Sequence, residues 1–232
     1  MNGSGSPHFV GDVMTQTVVS VGREAGFKDI VALMAQCQVS ALPVTAVEGR
    51  VVGVVSEVDL LPKEEFRDEE PSRPEQVRRL GDMAKASAIT AAELMTSPAV
   101  TVRADAALAQ AAREMARHHV KRLPVVDEWG VLAGVVSRAD LLKVFLRPDE
   151  EIAEEVRREV VAYLFGDGAI DVVVEVTDGV VTLTGRLPDT MLVPVAARLT
   201  RAVEGVVDVR WDVTGQALVP RCARTRTNRS RP

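Results

Sequence analysis

Gly53-Val54-Val55-Ser56-Glu57-Val58-Asp59-Leu60-Leu61 reappears as Gly134-Val135-Val136-Ser137-Arg138-Ala139-Asp140-Leu141-Leu142, and this doubled stretch decides how the chain is read. Outward from it, Leu42-Pro43-Val44 returns as Leu123-Pro124-Val125 and Met14-Thr15 as Met95-Thr96, all at one offset of 81 residues, the step from position 14 to position 95. The correspondence runs without a gap from Gly11–Leu61 to Ala92–Leu142. Two copies are too few for a solenoid. The repeat therefore implies two halves packed about a pseudo-twofold axis, with sites in the clefts between them.

Each copy carries the same order of signals. Val18-Val19-Ser20-Val21 and Ala99-Val100-Thr101-Val102 are short β-branched runs. They precede apolar residues at helical spacing: Ile30, Leu33, Met34 and Cys37 in the first copy, Leu108, Ala111, Met115 and His118 in the second. The Leu-Pro-Val triplets open a second strand, with proline at its first positions where a missing donor is tolerated. Glu48-Gly49-Arg50 and Trp129-Gly130 then supply the glycine of a hairpin turn into Val51–Val55 and Val131–Val136. A helix opens at Ser56 or Ser137, giving β-α-β-β-α twice. The Ser-x-x-Asp spacing is also that of a capping box, which a duplication would carry into both copies.

This order, with Val-Met-Thr or Leu-Met-Thr at the start, Leu-Pro-Val in the middle and Gly-x-x-Ser-x-x-Asp at the end, resembles the CBS domain. The resemblance implies a mixed α/β fold and a tandem CBS pair, with repeat one over 8–62, a charged linker over 63–89 and repeat two over 90–146. It also implies an adenosine-containing ligand of the AMP, ATP, NAD or S-adenosylmethionine class in the clefts, with no cofactor required. By position, Asp59 and Asp140 match the aspartate that holds ribose hydroxyls, and a carboxylate can accept from two vicinal hydroxyls. Ser56 and Ser137 match the hydroxyl that contacts ribose or phosphate, at a helix start where backbone amides favour an anion. Gly53 and Gly134 would let the backbone approach the ligand. Val18 and Val19, with Ala99 and Val100, match the stretch that grips adenine.

The copies differ where a phosphate would sit. The second has His118, His119, Lys121, Arg122 and Arg138 where the first has Cys37, Gln38, Ser40, Ala41 and Glu57. Phosphate favours cationic donors, and arginine offers a planar fork. One good site and one poor or empty site are expected, with Ser137 and Asp140 preferred. Adjacent histidines point about 100° apart on a helix and cannot chelate one metal, so His118 and His119 read better as surface residues.

The linker from Pro62 to about Ile89 is rich in charge and reads as a poor core former, with one amphipathic helix over Glu75–Lys85 on Val77, Leu80, Met83 and Ala84. From Asp149 the pattern becomes α-β-β-α-β. A helix on Ile152, Val156 and Val160 runs to Gly166-Asp167-Gly168. Strands follow on Val172, Val174 and Val176, on Val181 and Leu183, and on Val207, Val209, Trp211 and Val213, with a helix over Asp189–Val203 before the last. The segment 149–215, with Asp178-Gly179-Val180-Val181-Thr182-Leu183-Thr184-Gly185, looks like a BON domain. That resemblance implies attachment to a phospholipid surface or to protein.

The net charge of −5 conceals a basic end. Arg221, Arg224, Arg226, Arg229 and Arg231 stand in the tail 216–232 without an acid, so the rest carries −10. Such a tail is read as a disordered end, or as a contact for an anionic surface. Nucleic acid is disfavoured, since no aromatic residue lies near these arginines to stack on bases. No apolar run reaches the roughly 18 residues of a membrane helix, and the first residues carry no export signal, so a cytoplasmic protein is expected. Cys37 and Cys222 lie far apart in sequence, which suits a reducing compartment, and the excess of arginine over lysine suggests a bacterial source. No nucleophilic triad, metal spacing or Walker loop is present, which argues against an enzyme. The expected function is a regulatory sensor that relays adenosyl-ligand occupancy to the BON domain or to a partner. The alternative is an interaction or membrane-surface protein without nucleotide. A homodimer through the CBS helices is implied by the resemblance.

Overall fold

The computed structural model describes residues 9–67, 79–166, 172–187 and 190–215. Two compact units divide the chain, one over Pro7–Lys143 and one containing Val144–Pro232.

The first unit holds two equivalent sheets. In one, β1 (Val21–Gly22) runs parallel to β2 (Ala41–Thr45), and β2 pairs antiparallel with β3 (Val51–Ser56). In the other, β4 (Val102–Arg103), β5 (Arg122–Val126) and β6 (Leu132–Ser137) repeat that order and register, down to the irregularity between Val44 and Thr45 and between Val125 and Val126. The helix Phe27–Cys37 turns Ile30 and Met34 onto the first sheet, and Leu108–Arg117 turns Leu108, Ala111 and Met115 inward in the second copy. Both helices stop where a non-glycine residue takes a left-handed conformation, Gln38 at φ 53° and His119 at φ 55°.

Pairing explains where the strands fall short of expectation. The β-branched runs at Val18–Val21 and Ala99–Val102 join their own sheets only at their last residues, Val21 and Val102, each followed by one more strand residue. The segments just before them turn to the opposite copy: Thr15 bridges Val135, and Thr96 bridges Val54. The opening helices cross over as well. Ala88, Ala91 and Leu94 complete the core of the first copy around Ile30, Leu42, Val44 and Val55. Reciprocally, the amides of Val10 and Gly11 donate to Ala106 and Ala104. Each copy thus lends its first turn to the other.

His118 does not extend the buried helix face as its spacing suggested. It lies exposed beyond Arg117, where the left-handed His119 ends the helix. The linker is also more folded than its charge suggested. Pro62–Glu65 and Leu80–Ser87 are helices, and Pro62 is buried. The expected helix over Glu75–Lys85 is seen as Leu80–Ser87, its earlier residues lying outside the described ones. Its expected apolar face is used only in part, since Met83 is half-buried while Leu80 and Ala84 are exposed, and Lys85 is half-buried beside it.

The second unit is a three-stranded sheet in the order β7 (Val173–Thr177), β8 (Val180–Leu187), β9 (Asp208–Gly215), with β8 antiparallel to β7 and parallel to β9. Ile152, Val156 and Val160 pack with Val174, Val181, Leu183, Ala196 and Val209. The first helix is continuous through Asp149–Glu155, a π-helical stretch Val156–Val161, and Ala162–Phe165. The helix Val193–Ala202 precedes β9, which starts after the exposed Val207 rather than on it. Asp178 and Gly179, both at positive φ, form the tight hairpin, and the Asp149 carboxylate accepts from their amides at 2.8 and 2.9 Å. Among the described residues no helix is long and apolar enough to cross a membrane. The basic tail 216–232 and Cys222 lie outside the described residues, and Cys37 is a free, half-buried thiol.

Candidate functional site

The two Ser-x-x-Asp motifs sit where β3 and β6 end and a helix of one turn begins. At each, the aspartate folds back on the serine. Asp140 Oδ2 accepts from the Ser137 amide at 2.9 Å and its hydroxyl at 2.6 Å, while Ser137 Oγ accepts from the Asp140 amide at 3.2 Å. Asp59 Oδ2 accepts from the Ser56 amide at 2.8 Å and hydroxyl at 2.6 Å. Both motifs are therefore capping boxes, and one oxygen of each carboxylate is committed to the local turn. The helix starts expected to favour an anion are occupied by their own carboxylates. Each aspartate keeps its Oδ1 for other partners.

Those partners differ. Asp140 Oδ1 takes Lys143 at 2.8 Å, an exposed side chain three residues on. Burial pushes the Asp140 carboxyl up, but the Lys143 ammonium and the Ser137 hydroxyl and amide outweigh it and hold the group below its ordinary value. Asp59 is buried, and its Oδ1 is paired with Lys85 of the linker, with the Thr96 hydroxyl 3.4 Å away. Lys85 was missed from sequence because it lies 26 residues from Asp59 in a segment read as solvated.

Gly53 and Gly134 each face a methionine of the opposite copy. A Cβ on Gly53 would collide with the Met95 side chain, and one on Gly134 would meet Met14 Sδ at 2.6 Å and the Thr15 carbonyl at 2.9 Å. The glycines thus receive the exchanged methionine of the opposite copy.

The cations of the second copy are not gathered at one point. Arg122 crosses between the copies to donate to Ser40 Oγ at 3.0 Å, and Arg138 Nε donates to the Val120 carbonyl at 3.2 Å. Lys121 and both histidines are exposed. His118 lies 3.4 Å from Glu114 on its own helix.

A cavity of about 440 Å³ lies between the copies, bounded by Val51 and Val52 of β3, the segment Ser97-Pro98-Ala99, and Arg23. The Ser97 hydroxyl donates to the Val52 carbonyl at 2.9 Å on this wall. Of the residues marked from sequence, Ala99 alone lines it. Val18, Val19 and Val100 are half-buried or exposed outside it, and Ser56, Asp59, Ser137 and Asp140 do not border it. A largely apolar wall with one cation, Arg23, and the hydroxyl residues Ser97 and Thr101 can take a flat heteroaromatic ring.

The family model of the CBS domain matches residues 10–63 and 91–147, and that of the BON domain matches residues 148–216. The chain belongs to the CBS-domain family, as a tandem pair followed by a BON domain. An uncharacterized protein of Methanocaldococcus jannaschii, MJ1426, is 26% identical over 162 residues, which is 63% of this chain and 96% of that protein. A second protein of that archaeon, MJ1404, is 32% identical over 136 residues, 56% of this chain, and the chain spans 30% of its length. The chloroplastic CBS domain-containing protein CBSX2 of Arabidopsis thaliana is 29% identical over 155 residues, covering 61% of this chain and 65% of that protein. A crystal structure of CBSX2 in complex with AMP is similar at a TM-score of 0.53 and 31% identity, over 60% of this chain and 97% of that one.

Proposed function

We propose that the CBS pair is a non-enzymatic sensor of an adenosine-containing ligand, and that it passes occupancy to the BON domain or to a partner protein. The observation that carries this reading is the likeness, at 31% identity, to CBSX2 in complex with AMP. The cavity beside the segment of Ala99, which Ser137 and Asp140 do not border, is a separate slot between the copies. The Asp140 site supports the reading, because Lys143 is exposed and can swing away from Oδ1 to free it for a ribose hydroxyl. Ligand would bind one arrangement of the two copies better than another and shift that equilibrium by its differential affinity. Within this reading Ser137, Asp140 and Arg122 form the working site, in a cytoplasmic homodimer that associates through the CBS helices. The exposed Val58 and Leu61, with Leu142 in the second copy, suit such an interface.

The test is thermal unfolding of the full chain with AMP, ATP, NAD and S-adenosylmethionine, alone and with Asp140→Ala. A ligand at about 100 times its Kd stabilises by about 2.7 kcal/mol. In a protein of this size that is several degrees of Tm. A shift lost in Asp140→Ala supports the reading. Curves unmoved by every ligand would reject it in favour of attachment to lipid or protein through the BON domain and the basic tail.

A further inference from the structure

The Ser-x-x-Asp motif is duplicated, but the cation on it is not. Asp140 is followed three residues later by Lys143, whereas the same position after Asp59 is Pro62. Asp59 is nonetheless paired, by Lys85 from the helix Leu80–Ser87. This helix is clasped to the start of the linker. Lys63 Nζ donates to the Ala86 carbonyl at 2.8 Å, and Arg79 pairs with Glu65 through both terminal nitrogens at 2.7 Å while its guanidinium lies 4.7 Å from the Phe66 ring centre. The contrast in exposure follows: the Lys143 side chain is 59% exposed, but Lys85 is 26% and Asp59 8%. A lysine on its own helix swings free at little cost. A lysine held by a clasped helix does not.

We propose that the helix Leu80–Ser87 is an intramolecular strap that closes the Asp59 site, with the Lys85 ammonium occupying the carboxylate oxygen a ribose diol would need. The inference rests on the reading of the pair as an adenosyl sensor. Asp59 Oδ2 is already used by Ser56, so Oδ1 is the oxygen a diol would take, and that oxygen carries Lys85. Ligand at Asp59 must therefore displace the strap rather than add to it. The two sites become unequal without any difference in their Ser and Asp residues. Apparent affinity at Asp59 is reduced by the fraction of molecules with the strap lifted, and ligand that binds there lifts the strap in turn. A signal of occupancy would then appear in the linker.

The test uses the full chain with AMP and S-adenosylmethionine as probes, by calorimetric titration of the wild type, Lys85→Met and Lys85→Met/Asp59→Asn. The expected result is that Lys85→Met gains a second ligand per chain, or tightens the weaker site by about tenfold, the equivalent of about 1.4 kcal/mol. Asp59→Asn should cancel that gain. Lys85→Gln replaces Lys85→Met if the latter does not fold. In the wild type, acylation of the Lys85 amine, read by mass spectrometry, should be slow without ligand and several-fold faster in Asp59→Asn. Binding of a probe by the wild type with unchanged stoichiometry and affinity in Lys85→Met would overturn the strap and leave the sensor standing. Failure of every variant to bind either probe would overturn the sensor and the strap together.

Discussion

The substitution Gly53→Ala tests whether the exchanged methionines hold the two copies together. An added Cβ would overlap Met95 Sδ and come within 2.8 Å of its Cγ and 3.0 Å of its Cβ. The first two atoms can rotate away, but the third is fixed to the backbone beside the Thr96 to Val54 bridge. Overpacking of this kind costs about 1–3 kcal/mol, and we expect about 2. Met95→Ala, at a half-buried position, costs about 1–2 kcal/mol. If the two effects were independent, the double variant would lose about 3–4 kcal/mol. Because Met95→Ala removes Sδ and Cγ and leaves only the Cβ at 3.0 Å, the double variant should instead lose clearly less than this sum. The partner pair gives an internal control. Met14→Ala cannot rescue Gly134→Ala fully, since the Thr15 carbonyl stays 2.9 Å from the new Cβ and is itself bonded to the Val135 amide at 3.0 Å. Hydrogen exchange over Val51–Ser56 and Leu132–Ser137 reads both cycles in the intact chain, and 2 kcal/mol corresponds to about 30-fold faster opening. Additivity in the Gly53 cycle, or full rescue in the Gly134 cycle, would refute the reasoning.

Three further outcomes are expected. Asp140 has a lowered carboxyl pKa, so its contribution to stability is present above its unfolded value near pH 4 and is lost as pH falls through the lower folded value. Asp140→Ala should lower stability by about 1 kcal/mol at pH 7. Melting curves of the two proteins should converge toward pH 3, and a constant difference across that range would count against it. In the second unit, Arg147 is 6% exposed and joins the Glu155 carboxylate at 2.8 Å to the Glu204 carbonyl at 2.6 Å. Arg147→Met should cost about 3 kcal/mol, read by Trp211 fluorescence in urea on a Trp129→Phe background. Arg147→Met/Glu155→Leu should recover only part, because the bond from Arg147 to the Glu204 carbonyl is not restored. Asp149→Ala frees the amides of Asp178 and Gly179 and should cost about 1.5–3 kcal/mol, visible as faster exchange in the β7 to β8 turn.

Much of the architecture is legible in the sequence because its causes are local. Short β-branched runs in Leu42–Thr45 and Val51–Ser56, helical spacing in Ile30 and Met34, and glycine at the turns act within a few residues of each other. The capping role of Ser56 with Asp59 and of Ser137 with Asp140 is legible for the same reason. What escaped depends on partners far along the chain. Val18 and Val19 have strand-forming side chains, but the backbone just before them is claimed by the opposite copy. Gly53 and Gly134 were matched to a ligand when each faces a methionine of the other repeat. The signal was present, since Met14 and Met95 recur at the same offset as the glycines. Lys85 left no such trace. A charge in a charged linker has no periodicity to betray that it is bound.

The exchange of opening turns also sets an order of events during synthesis. The core around Ile30 and Leu42 waits for Ala91 and Leu94, and the bridge from Thr15 waits for Val135, 120 positions later along the chain. At about 5–20 residues per second, the amino-terminal segment spends roughly 6–24 s outside the ribosome before its partner strand exists. During that interval the nascent first copy presents an unfinished apolar surface. The polar linker, already translated, is the part of the chain best placed to keep that surface from meeting another like it.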